Sequence, residues 1–107
     1  MSGDNTLTLS LPLRRWQGDR GTYHLVILDG ESAEQVAMHA RLHRLEFGRQ
    51  RGFGSVKVVA KVGSTQWKSS LFPQDQSREW VLLISKKVMR AEDLAEGDPV
   101  TLDIELL

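Results

Sequence analysis

Hydrophobic and polar residues alternate most regularly between Phe53 and Pro73, and this stretch predicts a β-hairpin. Valine and alanine recur at every second position from Val56 to Val62, which is the period of a strand with one buried face. Gly63 and Ser64 then form a two-residue loop that favours a type II′ turn, because glycine takes a positive φ without steric cost. Such a turn sets the register of the two strands. The expected pairs are Ala60–Trp67, Val58–Ser69 and Val56–Leu71 on the buried face, and Lys61–Gln66, Val59–Lys68 and Lys57–Ser70 on the other.

Four further segments read as strands. Alternating leucines over residues 7–13 predict a first strand, and Pro12 indicates an edge position or a bulge. The segment Tyr23–Leu28 has apolar residues on both faces, which predicts an interior strand, and Trp80–Ile84 is an apolar run typical of a buried strand. Alternation over Pro99–Leu106 predicts the last strand. The sequence thus predicts a mainly β, mostly antiparallel small barrel of about six strands.

Two helices are expected to cap this barrel. Ser32 is a candidate N-cap for a helix over residues 33–47, with Gln35 completing a capping box and Gly48 ending it. Apolar residues recur along this helix with helical spacing. They are Met38, Leu42 and Leu45. Ser85 is a candidate N-cap for a short second helix over residues 86–91. Residues 1–6 lack periodicity and are expected to be disordered, which leaves residues 7–107 as a single domain.

Composition narrows the class of protein. The chain has 107 residues, no cysteine and a formal net charge of zero, so neither a disulfide framework nor a generic basic nucleic-acid-binding protein is expected. No segment resembles a signal peptide or a membrane span, which favours a cytoplasmic protein without membrane partners.

The charge is unevenly distributed along the chain. Residues 91–107 carry acids and neither lysine nor arginine, whereas residues 41–51 form a basic cluster. The arginines of that cluster are Arg41, Arg44, Arg49 and Arg51. One interpretation is two solvated faces that attract each other within one protomer or across a homodimer. The alternative is a nucleic-acid-binding surface formed by these arginines.

Candidate chemistry is sparse. Lys57, Lys61, Lys68 and Ser70 share the outer face of the hairpin, so they are either a solvated sheet surface or a site for a small anion.

Two other pairs of residues have the chemistry of a site but lack the surroundings it needs. His39 and His43 have the spacing of metal ligands, but neighbouring arginines disfavour a cation and no metal site is predicted. Ser69 and Ser70 lack the strand-to-helix turn that activates a nucleophilic serine.

These observations favour a small non-enzymatic binding or interaction module whose ligand is unknown. No cofactor is expected. Nucleic-acid binding is the first alternative, and an enzyme acting on a small anionic substrate is the second. Trp16, Trp67 and Trp80 are expected in the core or at the barrel mouth, where an indole also suits an apolar ligand pocket or a dimer interface.

One family pattern matches the order of these segments. A glycine turn is followed by an aromatic residue, a serine pair, a leucine and a proline, and a later turn carries leucine, glycine, aspartate and valine. The matching residues are Gly63, Trp67, Ser69, Ser70, Leu71 and Pro73, then Leu94, Gly97, Asp98 and Val100. The chain therefore resembles an uncharacterised bacterial family, the domain of unknown function numbered nineteen-hundred-and-five. The resemblance implies a double-split β-barrel capped by helices, a barrel class shared with the dimeric SpoVT/AbrB-type DNA-binding domains.

Overall fold

The computed structural model describes residues 5–47, 54–74 and 76–107, and its architecture is a curled antiparallel sheet with two helices. The strands follow the order β1-β7-β4-β5-β6-β3-β2 across the sheet. Their bounds are β1 Thr6–Pro12, β2 Arg14–Gly18, β3 Gly21–Leu28, β4 Val56–Val62, β5 Thr65–Pro73, β6 Trp80–Ile84 and β7 Pro99–Leu106. Helix α1 spans Gly30–Phe47 and α2 spans Lys86–Ala91. The protein is thus mainly β, as the sequence predicts.

The sheet curls because its two edge strands are consecutive in the chain. Strands β1 and β2 lie at opposite edges of the sheet, yet only Leu13 separates them. The backbone of Leu13 is held at both ends: its N–H donates to the Asp98 carbonyl at 2.9 Å, and its carbonyl accepts from the Gly97 N–H at 2.7 Å. Its side chain is 1% exposed. The two edges are therefore drawn together around one buried leucine, which gives the sheet the form of a half-barrel.

The hairpin of β4 and β5 has the register expected from the sequence. Ala60 pairs with Trp67, and Lys57 pairs with Ser70. Gly63 has a φ of 58°, while Ser64 keeps a negative φ, as a type II′ turn requires. The carboxylate of Glu92, just after α2, lies against this turn and accepts hydrogen bonds from the hydroxyls of Thr65 and Ser64. The prediction for this hairpin is confirmed.

Strands β5 and β6 pair over only part of their length. Their ladder consists of three pairs, from Leu71–Leu82 to Pro73–Trp80. Beyond it, β6 continues beside β3, whereas residues 65–70 of β5 pair with β4 alone. The sheet is consequently split between the first half of β5 and the end of β6.

Helix α1 packs on the core through small residues, not through the larger apolar residues that recur along it with helical spacing. Its buried side chains are Ala33, Val36 and Ala40, which allow the helix axis to approach the sheet closely. The larger apolar side chains face away from the core and are exposed. They are Met38 at 57%, Leu42 at 58% and Leu45 at 77%.

The start of α1 also differs from the expectation. The helix begins at Gly30 because the Asp29 carbonyl accepts the first helical bond, from the Ala33 N–H. Ser32 is not the N-cap, since its hydroxyl donates to that same carbonyl at 2.8 Å. For α2 the prediction is confirmed, because Ser85 Oγ accepts from the Val88 N–H at 3.2 Å.

The remaining differences concern strand number and the termini of elements. The sequence predicts about six strands, whereas the described residues form seven. The additional strand is β2, in a segment where the sequence predicts no strand. Strand β1 is an edge strand, as Pro12 indicates. The predicted end of α1 at Gly48 lies outside the described residues, as do residues 1–4 of the segment expected to be disordered. Thr6 already belongs to β1.

Candidate functional site

The outer face of the sheet has two chemically different halves. On β1, β7 and β4 the outward side chains are mostly threonine, aspartate, glutamate and lysine. On β2, β3 and β6 they are mostly apolar, although they also face away from the core. Trp16, Tyr23 and Leu83 are the most exposed of these, at 57%, 37% and 40%. A monomeric sheet normally covers or solvates such a face, so this half is the candidate functional surface.

These apolar side chains line an open groove of about 710 Å³. The strand register explains why they meet: Trp16 pairs with Tyr23, Leu25 pairs with Leu83, and side chains opposite one another in a ladder share a face. The lining residues are Arg14, Arg15, Trp16, Tyr23, Leu25, Ile27, Phe72, Gln74, Glu79, Val81 and Leu83. The volume lies in the range of small-molecule sites.

The indole of Trp16 lies over Gly18 and beside Tyr23 on the floor of this groove. Its ring centroid is 5.8 Å from that of Tyr23, with 30° between the ring planes. The same indole occupies the space above Gly18, where an added Cβ would come within 2.7 Å of the ring. Glycine at position 18 therefore lets the indole lie along the strand and form an aromatic floor with Tyr23.

Three charged residues line the groove, Arg14, Arg15 and Glu79. Arg14 follows Leu13 and pairs with Leu25, so its side chain projects from the groove face. Arg15 forms an ion pair with Glu96 at 3.6 Å, with both side chains 55% exposed. Glu79 accepts a hydrogen bond from the Ser77 hydroxyl at 3.0 Å. Of these charged groups, Arg14 has no ion pair with another described residue.

A second cavity adjoins the groove at the split between β5 and β6. Its volume is about 400 Å³, and Tyr23 and Leu83 line both cavities. Its other walls come from both sides of the split and from the start of α2. These residues are Thr22, His24, Trp67, Ser69, Ile84, Ser85 and Lys86. The split therefore opens a path from the outer groove towards the inward-facing side chains of β5.

The predicted anion site lies on the charged half of the sheet. Lys57, Lys61 and Lys68 are exposed and Ser70 is half-buried. The ladder with β7 sets Lys61 opposite Asp103, whose carboxylate also accepts from the Thr8 hydroxyl at 2.8 Å.

This arrangement mixes cations with acids on one face. Glu105 occupies the next outward position of β7, paired with Val59. Carboxylates are thus interleaved with the lysines, an arrangement that also stabilises a solvated sheet surface.

The predicted nucleic-acid surface is only partly described. Arg41 and Arg44 are exposed on α1, whereas Arg49 and Arg51 lie outside the described residues. On the same helix, His39 Nε2 lies 2.8 Å from the Leu107 carbonyl oxygen. The rings of His39 and His43 are 6.3 Å apart.

Over residues 5–47, 54–74 and 76–107, no group of three or more histidines and carboxylates is placed to hold a metal ion. Within those same ranges, neither helix combines the length and the apolar character that crossing a bilayer requires.

Sequence reasoning missed the groove, although part of its signal is visible. The segments Tyr23–Leu28 and Trp80–Ile84 are apolar on both faces, which was interpreted as burial on both sides. Among the described residues the two helices cover only the inner face, and no described element lies over the second apolar face. Trp16 was expected in the core or at the mouth, and it lies on the outer face instead.

The family of the chain follows from its sequence. Residues 11–104 match the model of the family described as Domain of unknown function (DUF1905). The match covers most of the chain, and the protein belongs to this family. No curated protein matches the chain at a significant level.

Proposed function

We propose that this protein is a small non-enzymatic binding module whose ligand lies in the outer groove of β2, β3, β5 and β6. The observation that carries the proposal is the exposure of a continuous apolar floor, with Trp16, Tyr23 and Leu83 at its centre. Exposed apolar surface of this kind is costly in water and is recovered when a ligand covers it.

The size of the surface favours a small ligand over a large protein partner. From the exposed fractions of its side chains, the apolar floor offers on the order of 400 Å², about half of what one partner contributes to a standard protein interface. A groove of about 710 Å³ instead matches a compact organic molecule. The aromatic floor favours a flat apolar group, because rings stack on the faces of Trp16 and Tyr23.

Arg14 adds a charge preference to this site. Its side chain lines the groove, and the acid in the same lining, Glu79, accepts a hydrogen bond from Ser77. A ligand with one acidic group therefore gains an ion pair as well as apolar contact. We accordingly propose a flat, largely apolar organic acid as the ligand class.

The dye 1-anilinonaphthalene-8-sulfonate has these properties and serves as the probe. Its fluorescence rises on transfer to an apolar site, so a titration gives a dissociation constant. Leu83→Gln should weaken binding by about 1 to 2 kcal/mol, or roughly 5- to 30-fold, because the side chain contributes apolar contact in the middle of the floor. Leu42→Gln is the matched control, since Leu42 is an equally apolar and more exposed residue on α1.

The charge preference is tested separately with N-phenyl-1-naphthylamine, which has the same rings without the sulfonate. Arg14→Gln should weaken binding of the sulfonated dye by about 0.2 to 1 kcal/mol, the range of an exposed ion pair. It should leave the neutral dye unchanged. Equal loss of dye binding in Leu83→Gln and Leu42→Gln, with both variants folded, would remove the groove from the proposal.

The barrel type, the source, the location, the oligomeric state and two other candidate surfaces are narrower expectations beside this proposal. We take the barrel to be of the double-split type, and the gap between β5 and β6 supports one split. A bacterial source, a cytoplasmic location and a homodimer remain expectations from the sequence and the resemblance. The anion site of Lys57, Lys61, Lys68 and Ser70 also remains a prediction, as does nucleic-acid binding through Arg41, Arg44, Arg49 and Arg51.

A further inference from the structure

Strand β5 has an open edge inside the sheet, and the hydrogen-bonding pattern of the hairpin shows which backbone groups it presents. A two-residue turn makes Val62 and Thr65 a hydrogen-bonded pair, so alternate residues of β5 direct their backbone groups to β4. These are Thr65, Trp67, Ser69 and Leu71. The intervening residues direct theirs to the opposite side, towards β6.

On that side the ladder stops after three pairs. Phe72 pairs with Val81, but among the described residues the ladder does not reach Gln66 or Lys68, so their outward N–H and C=O groups have no strand partner. Unpaired strand edges are templates for another strand, and proteins usually cover them or keep them short. This one borders the cavity of about 400 Å³ at the split.

The side chains around this edge define what a strand placed there would contact. Inward positions would meet Trp67 and Ser69, with Ile84 across the cavity. Outward-facing side chains of the added strand would lie beside Lys68 on one side. On the other side they would reach Leu83, which lines both the cavity and the outer groove. The inner neighbours therefore suit apolar residues, and the outer ones suit an acid and an aromatic residue.

We propose that the open edge of β5 binds an extended peptide segment, which adds a short strand beside Gln66 and Lys68 and places an aromatic side chain in the groove. This inference rests on the proposed function, because it names a peptide as the bearer of the flat apolar group. Backbone pairing supplies the affinity in this mode of recognition, and alternate side chains supply the specificity. Lys68 and Lys86 at the rim favour a segment with acidic residues.

The probe is the peptide acetyl-Glu-Val-Phe-Val-amide, compared with the same peptide methylated on its backbone nitrogens. Binding is followed by the amide resonances of ¹⁵N-labelled protein. The unmodified peptide should shift the amide signals of Lys68 and Ser70, together with those of Tyr23 and Leu83. The methylated peptide should bind about tenfold more weakly, because it has lost its backbone donors.

Variants at one position separate backbone pairing from charge. The N–H of Lys68 points away from β4, so Lys68→Pro removes a free donor without removing a bond of the hairpin ladder. Lys68→Pro should weaken the peptide about tenfold, whereas Lys68→Gln, which keeps the N–H, should weaken it only about two- to threefold. If Lys68→Pro does not fold, the comparison of the two peptides in the wild-type protein decides the matter.

The outcomes distinguish this inference from the binding function itself. Equal binding of the two peptides, or shifts confined to α1, would overturn it. Dye binding in the groove with no peptide effect on Lys68 or Ser70 would overturn peptide pairing and leave the small-ligand proposal standing. A dimer lost specifically in Lys68→Pro would show that a second copy of the chain occupies the edge, and would also overturn it.

Discussion

Gly63→Ala is expected to destabilise the protein by about 2 to 4 kcal/mol, through two separate effects at the hairpin turn. Gly63 has a φ of 58°, and an L-residue in this left-handed region costs roughly 1 to 2 kcal/mol. An added Cβ would also collide with the Glu92 carboxylate, which accepts hydrogen bonds from Thr65 and Ser64. Displacing that carboxylate should cost about 1 to 2 kcal/mol more.

Denaturant unfolding of four proteins separates these effects: the wild type, Gly63→Ala, Glu92→Ala and the double variant. In the Glu92→Ala background the collision is absent, so Gly63→Ala should cost only the backbone contribution. The coupling free energy should therefore be about 1 to 2 kcal/mol. In thermal unfolding the single variant Gly63→Ala should lower Tm by roughly 8 to 16 °C.

Two results would refute this reasoning. A cost for Gly63→Ala below about 0.5 kcal/mol would mean that the turn does not need a positive φ at this position. An equal cost in both backgrounds would mean that Glu92 and the turn are energetically independent. Gly97→Ala is a suitable comparison, because Gly97 also has a positive φ, of 90°, but an added Cβ there would meet no atom within 4 Å.

Two further predictions concern barrel closure and the groove floor. Leu13→Ala should destabilise the protein by about 2 to 5 kcal/mol, because Leu13 is the single buried residue that links the two sheet edges. Denaturant unfolding measures the loss of stability. A loss below about 1 kcal/mol would contradict the role of Leu13 in closing the barrel. Gly18→Ala should lift the indole of Trp16 off the sheet and weaken dye binding about threefold or more, while leaving the free energy of unfolding within about 1 kcal/mol of wild type. Unchanged dye affinity in Gly18→Ala would show that the position of the indole does not matter for binding.

The local parts of the fold could be predicted from the sequence because their signals are local. The alternation from Val56 to Val62 and the glycine at position 63 together determine strand, turn and register, and all three are confirmed. The N-cap of α2 at Ser85 likewise depends on residues within one turn. Each of these features involves residues close together in the chain.

Features that depend on long-range packing could not be predicted in the same way. Periodicity identified α1 as a helix but did not identify the face that packs on the sheet, where close packing favours Ala33 and Val36 over the larger Leu42. Strand β2 has exposed side chains on both faces, so its segment lacks any alternation to detect.

The groove itself was beyond local reasoning, since its floor joins two pairs of strands that are distant in the chain, β2 with β3 and β5 with β6. The apolar outer faces of β3 and β6 are visible in the sequence. Only the strand order shows that no element in the described part of the chain covers them.

The most direct test of the account is a titration of ¹⁵N-labelled protein with 1-anilinonaphthalene-8-sulfonate, followed residue by residue. The account predicts saturable shifts at the groove, centred on Trp16, Tyr23, Leu25 and Leu83, with α1 unaffected. Shifts centred instead on the exposed apolar residues of α1, or no saturable shifts, would contradict the claim that the outer groove is a binding site.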